Sequence, residues 1–195
     1  MKSYAALRLR GRWVTLEPLA PEHADGLRAA AADPKIWPYM FYDAASVFDT
    51  WREAAEKAVA AGREAHFVVR WQADGRPAGS SRYLNLAPEH RRLEIGHTWY
   101  APEFWGGPVN PECKLLLMTH AFESLQVNRV EFRCDGRNSR SRAALHKLGA
   151  IEEGTLRRHM VVRDGFVRDT VQFAVIAADW PGVKARLEAR LAALV

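Results

Sequence analysis

The stretch with the clearest chemical potential is Phe104-Trp105-Gly106-Gly107-Pro108-Val109-Asn110-Pro111-Glu112-Cys113-Lys114, which runs into Leu115-Leu116-Leu117-Met118. A glycine turn entering a helix exposes backbone N–H groups beside the positive end of the helix dipole, which suits a phosphate or pyrophosphate. Asn110 is a favoured N-cap type, and Pro111 suits the first helical position, where its missing N–H has no partner to lose. The stretch lacks the Gly-Lys-Ser/Thr ending of a P-loop and the three spaced glycines of a dinucleotide fingerprint. Taken alone it reads equally well as an ordinary strand-to-helix connection. Other reactive side chains are scattered. His97, His120, His146 and His159 match no metal-ligand spacing, so no metal is expected. Cys113 falls in the first turn of the same helix, where a thiolate is stabilised. No Cys–His pairing motif accompanies it, which favours a small packing residue.

These groups must be positioned by a chain of 195 residues, enough for one domain spanning 1–195. Its 48% hydrophobic and 26% charged residues are those of an ordinary globular protein, with a modest net charge of +5. There is no run of about 18 apolar residues to span a membrane, and Met1–Arg8 has no apolar core of secretory length. Two cysteines, Cys113 and Cys134, make no disulfide framework, and the chain reads as cytoplasmic. Arginine outnumbers lysine, which suits phosphate or carboxylate binding. No basic stripe with interleaved aromatics supports a nucleic-acid partner.

Alternation and β-forming residues mark Trp13–Leu19, Ala65–Trp71, Ala78–Leu86, Leu93–Tyr100, Arg129–Asp135, Glu152–Val162 and Phe166–Ala177 as strands. Helices are read from Pro21 to near Asp33, from about Ala45 to Gly62, from Pro111 to about Gln126 with a stripe through Leu115, Leu116, Thr119 and Phe122, from Asn138 to Leu148, and from about Trp180. Ala73-Asp74-Gly75-Arg76 and Arg163-Asp164-Gly165 are turns, and Gly149 sits where a left-handed C-cap would. The expected fold is α/β: a mixed, mostly antiparallel central sheet of about seven strands with helices on both faces. The aromatic, proline-broken segment Ile36–Tyr42 reads as a pocket wall or a contact surface, including a homodimer contact.

Three pieces of this order resemble the GNAT superfamily of acyl-CoA-dependent N-acetyltransferases, in the branch of bacterial ribosomal-protein N-terminal acetyltransferases. They are Leu93-Glu94-Ile95-Gly96-His97-Thr98-Trp99 leading into Phe104-Trp105-Gly106-Gly107; Asn138-x-x-Ser141-x-x-Ala144-Leu145-x-x-Leu148-Gly149-Ala150; and Glu153-Gly154-x-Leu156-Arg157 followed by Gly165 and Asp169. The resemblance runs from about Trp13 to Trp180. It implies a sheet splayed between its fourth and fifth strands, near a bulge in the fourth, with the pantetheine arm of acetyl-CoA between them. It implies pyrophosphate contacts from Trp105, Gly106, Gly107, Val109 and Asn110, and further coenzyme contacts from Asn138, Ser141 and Arg142, with Arg137 and Arg140 as further candidates. The family loop has glycine where this chain has Pro108, which offers no N–H. Gly107 is then expected to take the unusual backbone angle of the turn.

The implied reaction moves an acetyl group from a thioester to a primary amine by direct attack. Such amines are largely protonated at neutral pH, so a carboxylate must take a proton, directly or through water. Glu94 is the candidate base; its alternative role is an ion pair with Arg91, Arg92 or Arg133. Ser141 stands where the resembled branch places a hydroxyl near the coenzyme sulfur, the candidate donor to the departing thiolate; the alternative is a local helix-start bond. Trp37, Tyr39, Phe41 and His97 are the candidate acceptor-binding residues, His97 also reading as a hydrogen-bonded strand histidine. The acceptor is a small-molecule or peptide amine. A competing function keeps the fold as a non-catalytic acyl-CoA-binding or sensing module, with Pro108 its best support.

Overall fold

A computed structural model describes residues 7–194, so most of the Met1–Arg8 stretch from which the expectation about export is drawn lies outside the described residues. The alternating segments form one sheet of eight strands in the order β1-β2-β3-β4-β5-β6-β8-β7. The strands are β1 (Leu9–Arg10), β2 (Val14–Pro18), β3 (Ala65–Trp71), β4 (Pro77–Ala87), β5 (Arg92–Tyr100), β6 (Arg129–Asp135), β7 (Ile151–Val161) and β8 (Val167–Ile176). The strand beyond the expected seven is β1, too short to show alternation. The helices are α1 (Ala24–Ala30), α2 (Ala44–Ala60), α3 (Val109–Thr119), α4 (Ser139–Leu148) and α5 (Trp180–Ala192). The strands read as fourth and fifth are therefore β5 and β6. Among the described residues no helix is long and apolar enough to cross a membrane.

Two faces of the sheet are covered. Along β4, Arg82 lies with its guanidinium over Trp51 of α2, while its neighbour Tyr83 donates to the Leu117 carbonyl of α3 at 2.6 Å. Successive strand residues point to opposite faces, so α2 and α3 lie on opposite sides. Both faces being covered leaves β3 and β4 buried almost continuously, polar residues His66, Ser80, Ser81 and Arg82 included.

The seam between β5 and β6 governs the rest. It is the sheet's parallel pair, and only Arg92–Glu94 are in register with Arg129–Glu131. Beyond Glu94 the strands part. On its other edge β5 carries an extra residue against β4, where the register slips between Ser80 and Arg82. His97 sits in this bulge with φ at 47°, a left-handed conformation that costs a residue with a Cβ on the order of 1 kcal/mol. A bulge bends its strand and adds twist, which carries the end of β5 away from β6.

Helix α3 differs from the sequence reading in three respects. It begins at Val109 behind Pro108 as N-cap, so Asn110 and Pro111 lie inside the first turn. None of the first turn's N–H groups has an intrahelical acceptor, so a proline is as harmless there as at the very first position. The regular helix ends at Thr119 and closes in a π-turn, His120–Ser124. The buried face is Cys113, Lys114, Leu117 and Met118, not the stripe through Leu115, Leu116 and Thr119. One charged residue, Lys114, hid that face, and a second buried charge lies off it. Glu112 is buried because its carboxylate accepts from the backbone N–H groups of Arg12, Trp13 and Val14, each at 2.7 Å. Gly11 makes room for it, since a Cβ there would meet the carboxylate carbon at 2.4 Å.

Candidate active site

The parting of β5 and β6 opens a cleft of about 1040 Å³ lined by both strands, the aromatic segment, the glycine turn and α4. That volume suits a long ligand with a second molecule beside it. The cleft passes through the sheet. Glu94 pairs with Leu84 and Gly96 with Arg82, so both share the α2 face with Arg82. On β6, Phe132 faces Lys114 of α3, whose ammonium lies 5.5 Å from the ring centre, and Cys134 faces Ser141 of α4.

On the α2 face, Glu94 is buried, with Oε2 accepting from Asn85 Nδ2 at 2.8 Å and lying 3.5 Å from Arg133 Nε. Burial raises its pKa, and Arg133 and Asn85 oppose the rise without cancelling it. The ion pair with Arg133 is present, though loose, and the carboxylate also borders the cleft. His97 accepts or donates through Nδ1 to the Tyr42 hydroxyl at 3.0 Å and stacks near Phe41 and Tyr42. Burial, with Arg82 and Arg168 nearby, depresses its pKa to about 3, so the ring is neutral at physiological pH. Tyr39 and Phe41 line the cleft. Trp37 does not: it is fully enclosed, donates Nε1 to the Ala31 carbonyl at 2.9 Å and packs on Trp99. In this proline-broken segment the chain turns the indole into the core, so Trp37 backs the wall and is corrected from the acceptor set.

On the opposite face, Asn138 caps α4 by accepting from the Ser141 N–H at 2.9 Å, the strong cap expected of its type. The Ser141 hydroxyl contacts the Cys134 thiol and borders the cleft. Arg142 is corrected from the coenzyme set: one residue on, it turns about 100° around the helix and lies 3.3 Å from Glu152. Arg140 takes the cleft position, its guanidinium 3.6 Å from the centre of the Trp105 ring. Trp105 is fixed in turn by donating Nε1 to the Tyr100 carbonyl at 2.9 Å. Gly106, Gly107 and Asn110 border the cleft, whereas the Val109 side chain is buried and can contribute only its N–H at the helix start. The left-handed residue of the turn is Gly106, with φ at 79°, and not Gly107. Pro108 begins the helix in right-handed geometry, leaving the tight reversal to the residue two earlier. The Cys113 thiol is buried and its pKa raised by burial, so it is a packing residue and no thiolate.

Two further charged residues border the cleft. Lys114 is buried, donates Nζ to Thr98 Oγ1 at 3.0 Å, and has its pKa lowered to about 8 by burial. Arg168 is 5% exposed and donates Nε to Thr170 Oγ1 at 3.0 Å. Among the described residues no cluster of three or more His, Cys, Asp or Glu side chains could hold a metal ion.

Comparison with known proteins identifies the family. Residues 14–151 match the family described as "Acetyltransferase (GNAT) domain". The chain is 31% identical over 181 residues to a Bacillus subtilis (strain 168) protein named "Putative ribosomal N-acetyltransferase YdaF", covering 88% of this chain and 95% of that one. A GCN5-related N-acetyltransferase from Brucella melitensis superposes with a TM-score of 0.89 at 31% identity, over 97% of this chain and 87% of the other. Mycobacterium smegmatis RimJ, solved in complex with CoA-disulfide, gives 0.76 at 27% identity, over 91% and 88%.

Proposed function

We propose, from the premise that this chain belongs to the GNAT acetyltransferase family and is an acetyl-transferring enzyme, that it transfers acetyl from acetyl-CoA to a primary amine by direct attack. The observation that carries this reading is the cleft that crosses the sheet, with a buried carboxylate on one face and a serine hydroxyl on the other. A thioester approached from the α3–α4 face and an amine approached from the α2 face would meet where β5 and β6 part.

In this reading Glu94 takes the proton from the attacking amine. Its raised pKa makes it a stronger base than an exposed carboxylate, while Arg133 opposes that rise. Ser141 donates its hydroxyl proton toward the departing thiolate, with Asn138 holding the start of α4 so that the hydroxyl stays over the cleft. Backbone groups of β5 beyond Glu94 have lost β6 as partner and can polarise the thioester carbonyl. Acetyl-CoA fits the residues present: Gly106, Gly107, Val109 and Asn110 supply N–H groups at the positive end of α3, and Arg140 lies beside the turn. Tyr39, Phe41 and His97 would border the acceptor. The whole chain serves this one site, as a single domain.

A thermal-shift titration with acetyl-CoA, followed by coenzyme release across an amine panel, tests the reading. A ligand at 100 times its dissociation constant stabilises by about 2.7 kcal/mol. Stabilisation with amine-dependent release of free thiol supports it. Absence of any shift at millimolar coenzyme overturns it.

A further inference from the structure

On the α2 face of the cleft the charges are matched almost throughout. Glu94 lies by Arg133, Glu64 by Arg82, and Asp135 is gripped by Arg137 through both carboxylate oxygens at 2.7 and 2.9 Å. Arg168 breaks the pattern. It is 5% exposed, yet no carboxylate lies within 4 Å of its guanidinium among the described residues; its bonds go to the Thr170 hydroxyl and, at 3.7 Å, to the Met160 sulfur. The remaining N–H groups of a five-donor fork have no protein acceptor among the described residues. The guanidinium lies 4.6 Å from the centre of the Phe41 ring and borders the cleft.

Register fixes which side it serves. Thr170 pairs with Asp135, and Arg168 lies two residues before Thr170, so its side chain shares the face of Asp135, Arg133 and Glu94. The guanidinium is largely withdrawn from water and has opposite charges, Asp135 and Glu94, nearby but none in direct contact, so an anion in the cleft would relieve part of its desolvation cost. Arginine's planar fork matches a carboxylate through two parallel hydrogen bonds. Glu94 and Arg168 together thus present a negative and a positive group to one space, the complement of a molecule bearing an amine and a carboxylate.

Deepening the function proposed above, on which this rests, we propose that Arg168 binds the carboxylate of the acceptor, so that the preferred acceptors are amines carrying a nearby carboxylate. That carboxylate can belong to a free amino acid or to an acidic side chain close to a peptide's N-terminus.

The test uses the full chain with saturating acetyl-CoA and reads thiol release from matched acceptors. One arm compares free amino acids with their carboxamides. The other compares short peptides carrying Asp or Glu at the first two positions with their Asn or Gln counterparts; the arm that shows the preference identifies the source. The expected result is at least a tenfold higher kcat/KM for the carboxylate member. Arg168→Gln should bring the two members within about threefold, mainly through KM, while Arg168→Lys should retain part of the preference. A wild-type ratio near one, or a ratio that survives Arg168→Gln in protein with normal thermal unfolding, overturns the proposal while leaving amine acetylation standing. If no amine is acetylated, the amine reading itself fails. Calorimetric titration of CoA-bound protein with an N-acetyl amino acid and its amide then still decides Arg168: carboxylate-selective binding lost in Arg168→Gln supports the assignment, and equal binding of both overturns it.

Discussion

Replacing Lys114 by methionine should stabilise the protein at neutral pH, because a buried ammonium without a carboxylate is among the costliest groups in the fold. Lys114 is 7% exposed, and its one hydrogen bond goes to the Thr98 hydroxyl. Burial lowers its pKa from 10.5 to about 8. At 1.36 kcal/mol per pKa unit, holding that proton in the folded state at pH 7 costs about 3 kcal/mol. Burial also raises the Cys113 thiol, so the neighbouring group supplies no offsetting charge at pH 7. Lys114→Met keeps the length of the side chain and gives up one hydrogen bond, worth about 1 kcal/mol. The net gain at pH 7 is about 2 kcal/mol. Since the folded pKa lies below the unfolded one, the unfolded chain binds the extra proton between about pH 8 and 10.5. Wild-type stability therefore climbs across that window, and the methionine advantage vanishes by its upper end. Urea denaturation of both proteins at pH 7 and pH 10.5 measures the difference at each pH. A methionine variant no more stable than wild type at pH 7, or a difference identical at both pH values, would refute the reasoning.

Glu94→Gln keeps size and hydrogen bonding but removes the base, and turnover should fall by about 10²–10⁴ with acetyl-CoA affinity nearly unchanged. Because burial raises the Glu94 pKa, the acid limb of the wild-type rate profile should lie above the ordinary carboxylate range and disappear in the variant; a loss below tenfold assigns the proton to another acceptor. Ser141→Ala should slow turnover at saturating coenzyme more than it weakens binding; the opposite pattern in steady-state kinetics makes Ser141 a binding residue only. Gly106→Val should weaken acetyl-CoA binding at least tenfold, since φ at 79° excludes a β-branched residue. Gly107→Val should be milder, as the nearest atom to a Cβ there is the Phe104 oxygen at 3.8 Å; equal tolerance in a direct titration would make this turn a mere connector.

What the sequence disclosed followed from local chemistry. Asn138 as cap of α4, Gly149 as its left-handed C-cap and the Asp74-Gly75 turn are each decided by one or two residues, and each stands in the structure. The start of α3 was displaced because Asn110-Pro111 is a good cap sequence that loses to the turn at Gly106, whose geometry depends on Trp105 reaching the Tyr100 carbonyl. Polarity misled the reading of the buried face of α3. Lys114 lies in phase with Leu117 and Met118, and periodicity without regard to charge would have found it; Glu112 lies on the other side of the helix and is buried only by the Arg12–Val14 backbone. Arg168 had no local signal, for its meaning comes from Glu94 and Phe41, more than seventy and a hundred residues away in sequence. Trp37 and Arg142 carried chemically suitable side chains whose direction is set only by the packed fold.

The seam of three residue pairs between β5 and β6 also divides the sheet into an early meander and a late three-stranded unit. Everywhere else a strand is fastened along most of its length, so relative movement of the two blocks is cheapest at this join. An occupant offering amide groups to both free edges would act there as an inserted rung, replacing pairing the strands withhold from each other. Rigidity of the molecule then becomes a property shared between chain and cargo: the empty protein is two plates meeting at a short weld, and the filled one a continuous shell.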